Sequence, residues 1–339
     1  MKNPFQDLLR DATRLTQIGR LSEATAAIQR ALGGQPLAKA TPDDVLDGCV
    51  FETPAQPQHT DAESWREASH TAVGLTRAYK LYVPPGPRAS PPALIVMLHG
   101  CTQNPDDFAA GTAMNARARE QGFCVLYPAQ SQDANPQRCW NWFKHSHQTR
   151  GRGETALIAS MTQAVMREQG IAPQRVYIAG LSAGGAMAAL VGAAYPELYA
   201  AVGVHSGLAP GAAASLPEAL AAMQGKAGAR PSGALQVPLI VFHGDQDTTV
   251  HPRNGEQLIA ALGHPTLTRQ EPGVSPRGQR YTRSVYAADP QHPAAEHWLL
   301  HGAGHAWSGG GVAGSYTDAK GPDATGEMLR FFFEHPRRA

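Results

Sequence analysis

The chain has 339 residues, of which 42% are hydrophobic and 17% are charged, and its formal net charge is +1. These values are typical of a globular protein with one large domain and an additional segment, or with two ordinary domains. The near-neutral charge excludes a nucleic-acid or anionic-membrane partner held by bulk electrostatics, and no apolar stretch is long enough to span a bilayer.

We expect residues 1–34 to form a short helical hairpin. Apolar residues recur at helical spacing over 5–18 and again over 24–32, and Gly33 and Gly34 follow. One hairpin cannot bury its own apolar face, so we expect it to pack on the main domain or on another copy of the chain, as a homo-oligomer contact. The segment lacks the apolar core of a secretory signal. We therefore expect a cytoplasmic protein, and an extracellular one only if it is exported by another route.

Residues 35–76 are rich in Pro, Asp, Gln and Thr with little periodicity, which indicates a linker or a wrapping arm. The main domain, 77–339, alternates between strand and helix patterns. Strands are predicted at 79–83, 93–98, 123–127, 176–179, 200–204, 237–242, 283–286 and 297–300. Helices are predicted at 113–121, 154–168, 185–191, 216–223, 255–262 and 324–334. This alternation predicts an α/β fold with a doubly wound, mostly parallel sheet, which binds ligands at the carboxyl ends of its strands.

One pentapeptide, Gly-Leu-Ser-Ala-Gly at residues 180–184, gives the strongest indication of chemistry. It lies between the predicted strand at 176–179 and the predicted helix at 185–191. A serine on a strained turn between a strand and a helix is the arrangement of a nucleophile elbow, whose glycines allow a close packing that side chains would obstruct. The bare pattern is common by chance, but this context makes Ser182 the candidate nucleophile.

A serine nucleophile needs a histidine base, and the base needs a carboxylate that orients it. For the carboxylate, the loop after strand 237–242 offers Asp245 and Asp247. We favour Asp247, because the turn before it gives it room to point back at the histidine. Asp245 is better suited to hydrogen bonding within the turn.

For the base, the loop after strand 297–300 offers His301 and His305. We favour His305, because a Gly-x-Gly segment can carry it over the sheet edge, whereas His301 lies closer to the end of the strand. The His145 and His147 pair is weak evidence for a metal, and the cysteines lack metal-type spacing. We therefore expect no metal and no organic cofactor.

The remaining site candidates lie in loops. The oxyanion of an acyl-transfer reaction needs two backbone N–H donors, which we expect from Ala183 and from Cys101 in the loop at 99–103. The aromatic side chains in loops either line an apolar cleft or cover the sheet as core, with cleft favoured for Trp307. The substrate-binding candidates are Trp140, Trp142, Trp307 and Gln103.

Together these segments resemble the polyhydroxybutyrate (PHB) depolymerase family of esterases, which have the α/β-hydrolase fold. The resemblance covers about residues 77–335. It is carried by His-Gly-Cys-Thr-Gln at 99–103, Cys-Trp-Asn-Trp at 139–142, Arg-Gly-Glu at 152–154, Gly-Leu-Ser-Ala-Gly-Gly-Ala-Met at 180–187, His-Gly-Asp-Gln-Asp-Thr-Thr-Val at 243–250 and Gly-His-Ala-Trp at 304–307.

The resemblance implies a serine esterase with Ser182 as nucleophile, Asp247 as acid and His305 as base. It also implies that Cys101 and Cys139 lie close enough for a disulfide, although a cytoplasmic environment would keep the two thiols reduced. We expect a poly- or oligo(3-hydroxybutyrate) substrate. The similar feruloyl and acetylxylan esterases share the fold and the triad, so a carbohydrate ester is the alternative. An alternative of another class is a non-catalytic relative that serves as an interaction module, and the intact triad disfavours it.

Overall fold

The computed structural model describes residues 62–86, 90–226, 235–263, 265–288 and 294–337. The hairpin predicted at residues 1–34 and most of the predicted linker lie outside these ranges. Among the described residues, no helix combines the length and the apolar character needed to cross a lipid bilayer.

Within the described ranges, ten strands form one sheet in the order β1-β2-β4-β3-β5-β6-β7-β10-β9-β8. They are β1 Ser64–Ala72, β2 Leu75–Val83, β3 Leu94–Leu98, β4 Cys124–Pro128, β5 Val176–Leu181, β6 Ala201–His205, β7 Leu239–Gly244, β8 Leu267–Val274, β9 Arg280–Tyr286 and β10 Ala295–Leu300. The six central strands, β4-β3-β5-β6-β7-β10 in their order across the sheet, pair in parallel. Antiparallel strands flank them, with β1 and β2 next to β4, and β8 and β9 next to β10. The predicted mostly parallel, doubly wound sheet is confirmed. A small separate pair consists of β11 Trp307–Ser308 and β12 Thr317–Asp318.

The helices cover both faces of the sheet. They are α1 Pro105–Thr112, α2 Met114–Gln121, α3 Gly153–Gln169, α4 Ala183–Ala194, α5 Leu216–Met223, α6 Arg253–Ala260 and α7 Ala324–Glu334. Side chains of α3, α4, α5 and α6 belong to one apolar cluster, and those of α1, α2 and α7 belong to another. Successive residues of β3 alternate between the two clusters, as the pleat of a strand requires. The continuous apolar runs of the central strands therefore follow from burial on both faces.

The structure differs from the predictions at the sheet edges. Strand β1 lies inside the segment that we expected to be a linker, and β8 was not predicted. Both strands expose most of one face, so their sequences lack an apolar run. The turn from β1 to β2 uses Val73 and Gly74, both with positive φ, which is the geometry of a type I′ hairpin. A valine at such a position gives no sequence signal for a tight turn.

The site is positioned by the order of the strands. Within the sheet, β4 lies on one side of β3 and β5 lies on the other side, so the chain reverses its direction across the sheet after β4. The carboxyl ends of β3 and β5 therefore form a topological switch point, where ligands bind in open α/β sheets. The loop after β3 and the turn after β5 meet there.

Candidate active site

Ser182 occupies a strained turn between β5 and α4. Its backbone has φ 57° and ψ −120°, outside the regions that most residues adopt. A Cβ on Gly184 would lie 2.1 Å from the carbonyl oxygen of Leu98, and one on Gly180 would lie 2.4 Å from the backbone of Gly184. No side chain fits at either position, which explains the Gly-x-Ser-x-Gly spacing. Strain of this kind is typical of functional sites.

Asp247 and His305 form a close hydrogen-bonded pair. The Nδ1 atom of His305 lies 2.7 Å from Oδ2 of Asp247, and the carboxylate is buried. The other oxygen, Oδ1, accepts hydrogen bonds from the backbone N–H groups of Thr249 at 2.9 Å and Val250 at 2.8 Å. Since a carboxylate can only accept, Nδ1 of His305 carries the proton and Nε2 is the basic nitrogen.

The environment of Asp247 keeps it ionised. Burial alone would raise the pKa of this carboxyl group, but the hydrogen bond and the charge of His305, together with the amide of Val250, outweigh burial and lower the pKa below its usual value. The negative charge beside His305 therefore persists well into the acid range.

His205 connects the histidine loop to the serine turn, a role that the sequence did not reveal. Its backbone oxygen accepts the N–H of Ser182 at 2.9 Å, and its Nε2 accepts the N–H of Ser308 at 3.0 Å. The ring is fully buried and stacks on Trp307 with centroids 5.3 Å apart. Burial lowers the pKa of His205 to about 3, so the ring is neutral and its Nε2 can accept. Its position at the end of an apolar strand was the one available signal.

The alternative pair, Asp245 and His301, is also formed. Nδ1 of His301 lies 3.1 Å from Oδ2 of Asp245, whose Oδ1 accepts the N–H of Gly302 at 2.7 Å. Both side chains are about one-third exposed, and Nε2 of His301 is engaged by Thr282 Oγ1 at 2.8 Å. The geometry favours Asp247 and His305 as the site pair, because the Asp247 side chain is fully buried, the His305 side chain is only 11% exposed, and the histidine loop is tied to Ser182 through His205.

The loop after β3 is built around Gln103. Its Oε1 accepts the N–H of Gly100 at 2.9 Å, and its Nε2 donates to Asp107 at 2.8 Å and to the Ser315 carbonyl at 3.1 Å. Gln103 is only 2% exposed. We expected this side chain to bind substrate, and the structure corrects that expectation, because every polar atom of the amide supports the loop that presents Cys101.

The structure separates the three tryptophans that we expected at the cleft. Trp140 is fully buried and donates from Nε1 to the His99 carbonyl at 3.2 Å. Trp307 is 1% exposed and donates to Thr325 Oγ1 at 3.0 Å. Of the two alternatives left open for Trp140, the structure shows the core one, and the cleft prediction is wrong for Trp307. Both are interior residues whose indole N–H groups find internal partners. Trp142 lines an apolar cavity at Ser182.

A buried carboxylate, Glu154, supports the loop at 139–143. It accepts hydrogen bonds from the Gln130 amide at 2.6 Å and from the Asn141 backbone and side chain at 2.7 and 2.8 Å. Burial alone would raise its pKa, but the nearby His147 ring and the hydrogen bonds from Gln130 and Asn141 outweigh burial and lower it. The guanidinium group of Arg77 lies 3.5 Å from Oε1 of Glu154. The Arg-Gly-Glu segment at 152–154 is part of the family resemblance, but its sequence gives no sign that the glutamate supports a loop.

Ser182 faces a cavity of about 250 Å³. Its lining is almost entirely apolar and includes Cys101, Cys139, Trp142, Phe143, Ser182, Ala183, Leu208, Leu216, Leu220, Met223 and Val250. Cys101 and Ala183, the two residues expected to supply oxyanion donors, both line it. Ala183 is the first residue of α4, so its N–H lies at the positive end of the helix dipole. Among the described residues, no group of three or more His, Cys, Asp or Glu side chains is placed to hold a metal ion.

The Cys101 and Cys139 sulfur atoms are bonded to each other, and both residues line the cavity. The bond joins the loop after β3 to the loop that Glu154 supports, across 38 positions of sequence. Closing a loop of this length stabilises the folded state by about 4 kcal/mol in the chain-entropy account.

We expect the Cys139→Ser variant to lose about 3–4 kcal/mol of unfolding free energy, since the unfolded chain regains the entropy of the open loop. Urea denaturation with and without dithiothreitol measures this. The wild type should fall to the stability of the variant when it is reduced, and the variant should not respond to the reductant. An equal response of both proteins would contradict the role of this bond.

Comparison with known proteins agrees with this architecture. The model of the "Esterase PHB depolymerase" family matches residues 77–264. The chain is 31% identical over 250 residues to poly(3-hydroxyalkanoate) depolymerase C of Paucimonas lemoignei, covering 69% of this chain and 59% of that protein. It is 28% identical to feruloyl esterase B of Thermothelomyces thermophilus, covering 62% and 78% of the two chains.

Among solved structures, the acetyl xylan esterase from Aspergillus awamori superposes with a TM-score of 0.64 at 20% identity, covering 79% of this chain and 99% of that one. The α/β-hydrolase fold expected from the sequence is thereby confirmed. The chain spans about 59% of the length of the curated depolymerase that it matches. Because the family model covers more than half of the chain, this protein belongs to the esterase PHB depolymerase family.

Proposed function

We propose that this chain is a carboxylic ester hydrolase that acts through an acyl-enzyme on Ser182, with poly- or oligo(3-hydroxybutyrate) as its substrate. The observation that carries the proposal is the position of Ser182, which lies on a strained turn at an apolar cavity. His205 ties this turn to the loop that carries His305, and His305 is hydrogen bonded to Asp247.

In the proposed mechanism, Nε2 of His305 takes the proton of the Ser182 hydroxyl as Oγ attacks the ester carbonyl carbon. The backbone N–H groups of Cys101 and Ala183 hold the oxyanion of the tetrahedral intermediate. The intermediate collapses, the leaving alcohol takes the proton from His305, and the acyl group stays on Ser182. His305 then deprotonates a water molecule, which attacks the acyl-enzyme, and it returns that proton to Ser182 Oγ as the ester bond to the enzyme breaks and the carboxylic acid leaves. Asp247 orients His305 and stabilises its charged form.

The cavity lining supports a polyester substrate. Asn135 and Gln137 are the polar side chains at a cavity otherwise lined by apolar side chains, the disulfide and the Ser182 turn. A 3-hydroxybutyryl unit presents a methyl group, a methylene and ester oxygens, which suit such a lining. A sugar would leave many hydroxyl groups without partners, at a cost in binding free energy. The identity to a poly(3-hydroxyalkanoate) depolymerase supports the same choice.

The second candidate is a feruloyl or acetyl ester of a plant polysaccharide, which the feruloyl esterase relative and the acetyl xylan esterase neighbour favour. A substrate panel distinguishes the two. We expect hydrolysis of p-nitrophenyl butyrate and release of 3-hydroxybutyrate from amorphous polymer, with little action on methyl ferulate or acetylated xylan. The opposite pattern would establish the carbohydrate ester. Inertness toward every ester would favour a non-catalytic relative.

Two exposed leucines at the cavity offer a test of polymer contact. Leu216 and Leu220 are 55% and 54% exposed although both line the cavity. We expect Leu220→Ser to lower the rate on amorphous polymer about fivefold, because roughly 1 kcal/mol of apolar burial against the polymer is lost. Hydrolysis of p-nitrophenyl acetate should change little.

The matched control is Leu267→Ser on β8, where the leucine is 48% exposed and not part of the cavity lining. This variant should retain the wild-type rate on both substrates. Equal losses in the two variants would mean that general surface hydrophobicity, rather than the cavity rim, governs the action on polymer.

A further inference from the structure

A second, larger cleft opens beside the loop that carries His305. It has a volume of about 810 Å³ and is lined by Arg277, Gln279, Arg280, His301, Asp318 and Lys320. His301 directly follows β10, and Arg280 begins β9, so the cleft lies at the carboxyl end of β10. This is the edge of the sheet at which Ser182 and His305 also lie.

The cleft carries an excess of positive charge. Within the described ranges, three cations of the cleft form no ion pair, namely Arg277, Arg280 and Lys320. By contrast, Arg269 on β8 and Arg283 on β9 both pair with Glu271. Asp318 is the acidic side chain of the lining, and one of its oxygens accepts the backbone N–H of Lys320 at 2.9 Å. The whole chain has a net charge of only +1, so this local excess is not a general property of its surface.

The backbone around these cations is held by internal hydrogen bonds. Ser275 Oγ donates to the carbonyl of Lys320, and the Gln279 amide donates to the carbonyl of His301 at 2.8 Å. The N–H of His301 donates to the carbonyl of Arg280 at 2.9 Å. The segments that carry the cations are therefore fixed relative to each other, which lowers the cost of ordering them around a ligand.

The chemistry of the proposed reaction places a carboxylate on this side of the site. When a 3-hydroxybutyrate chain is cleaved, the acyl fragment stays on Ser182 and the leaving fragment takes the ester oxygen. That leaving fragment carries the carboxylate terminus of the chain at its far end. Its oxygen takes the proton from His305, so the fragment extends on the His305 side. The loop from His301 to His305 joins this side of the site to the cleft.

The separation suits a short oligomer. In the sheet, β9 is the fourth strand from β5. With neighbouring strands about 4.8 Å apart, the cleft lies on the order of 19 Å from the Ser182 turn. A leaving fragment of a few hydroxybutyrate units can extend over this distance, whereas a monomer cannot.

We propose that the cleft lined by Arg277, Arg280 and Lys320 binds the carboxylate terminus of the leaving fragment, so that the enzyme prefers short oligomers with a free carboxylate. This inference rests on the proposed polyester function. Guanidinium and ammonium groups are the donors that bind carboxylates most strongly.

The test compares 3-hydroxybutyrate dimer to hexamer as free acids with the same oligomers capped as methyl esters. For one or more of the longer oligomers, we expect the wild type to have a kcat/KM about tenfold higher for the free acid than for the methyl ester of the same length. For the dimer, we expect the acid and the ester to have the same kcat/KM. The Arg280→Ala/Lys320→Ala double variant should lose the preference and keep wild-type activity on capped oligomers and on p-nitrophenyl butyrate. Arg269→Ala, an exposed arginine paired with Glu271, is the matched control and should keep the preference.

Equal kcat/KM for acids and methyl esters in the wild type would overturn the cleft assignment and leave the polyester function intact. The cleft assignment would also be overturned if the double variant kept the preference for free acids, or if Arg269→Ala lost that preference equally. Hydrolysis of p-nitrophenyl butyrate with no action on any oligomer would instead overturn the polyester function, and the cleft assignment with it.

Discussion

We expect Ser182→Ala to lose about 10⁶-fold in kcat toward p-nitrophenyl butyrate, the largest effect of any single substitution in this chain. Without the hydroxyl no acyl-enzyme forms, and the remaining rate is that of water attack within the site. Alanine can occupy the turn about as well as serine does, because Ser182 already has a Cβ at φ 57°. The melting temperature should therefore stay near that of the wild type.

Stopped assays with the purified variant measure this loss, and Ser160→Ala is the control. Ser160 lies on α3, where its hydroxyl is hydrogen bonded to His70 at 2.8 Å, away from the cavity. That variant should keep wild-type activity. In addition, the Ser182→Ala/His305→Ala double variant should be no slower than Ser182→Ala alone, because members of a triad act as a unit. A Ser182→Ala rate within tenfold of wild type would mean that the reaction takes place elsewhere.

The central part of the fold could be predicted because two physical signals coincide there. Strands buried on both faces are continuous apolar runs, as in β3 and β5, and each is followed by a helix pattern. The Ser182 turn could be predicted because sterics leave no alternative to glycine at 180 and 184. These constraints act within a few residues of sequence, so they can be recognised without the structure.

Features that depend on distant partners could not be predicted. Trp140 and Trp142 are neighbours in one motif, yet one is an internal donor to His99 and the other faces the cavity. Gln103 supports its loop through Asp107 and Ser315, and the second of these lies far along the chain. The exposed edge strand β1 is specified by pairing with β2 rather than by an apolar pattern. In each case the partner decides the role, and a sequence does not show which partner is near.

The two Asp–His pairs test the site assignment most directly, because they join the same two loops and differ in environment. Asp247 is buried and holds His305, whereas Asp245 is partly exposed and holds His301. We expect Asp247→Asn to lower kcat about 10⁴-fold, because the amide can donate to Nδ1 of His305 and leave the proton on Nε2, where the base is needed. Asp245→Asn should stay within about threefold of wild type, since it touches only the loop beside the site.

Stability and activity, measured separately, distinguish a role of Asp247 in orienting His305 from a role in folding. The lowered pKa of Asp247 means that its ionised form is favoured in the folded state, so its contribution to stability is present at neutral pH. That contribution is lost only as the pH falls from the unfolded value, about 3.9, through the lower folded value. At pH 7 the wild type should therefore be more stable than Asp247→Asn, by an amount that unfolding in urea measures. The activity loss should persist at temperatures where both proteins are fully folded. If Asp245→Asn were the inactive variant, His301 would be the base and the buried pair would serve the fold alone.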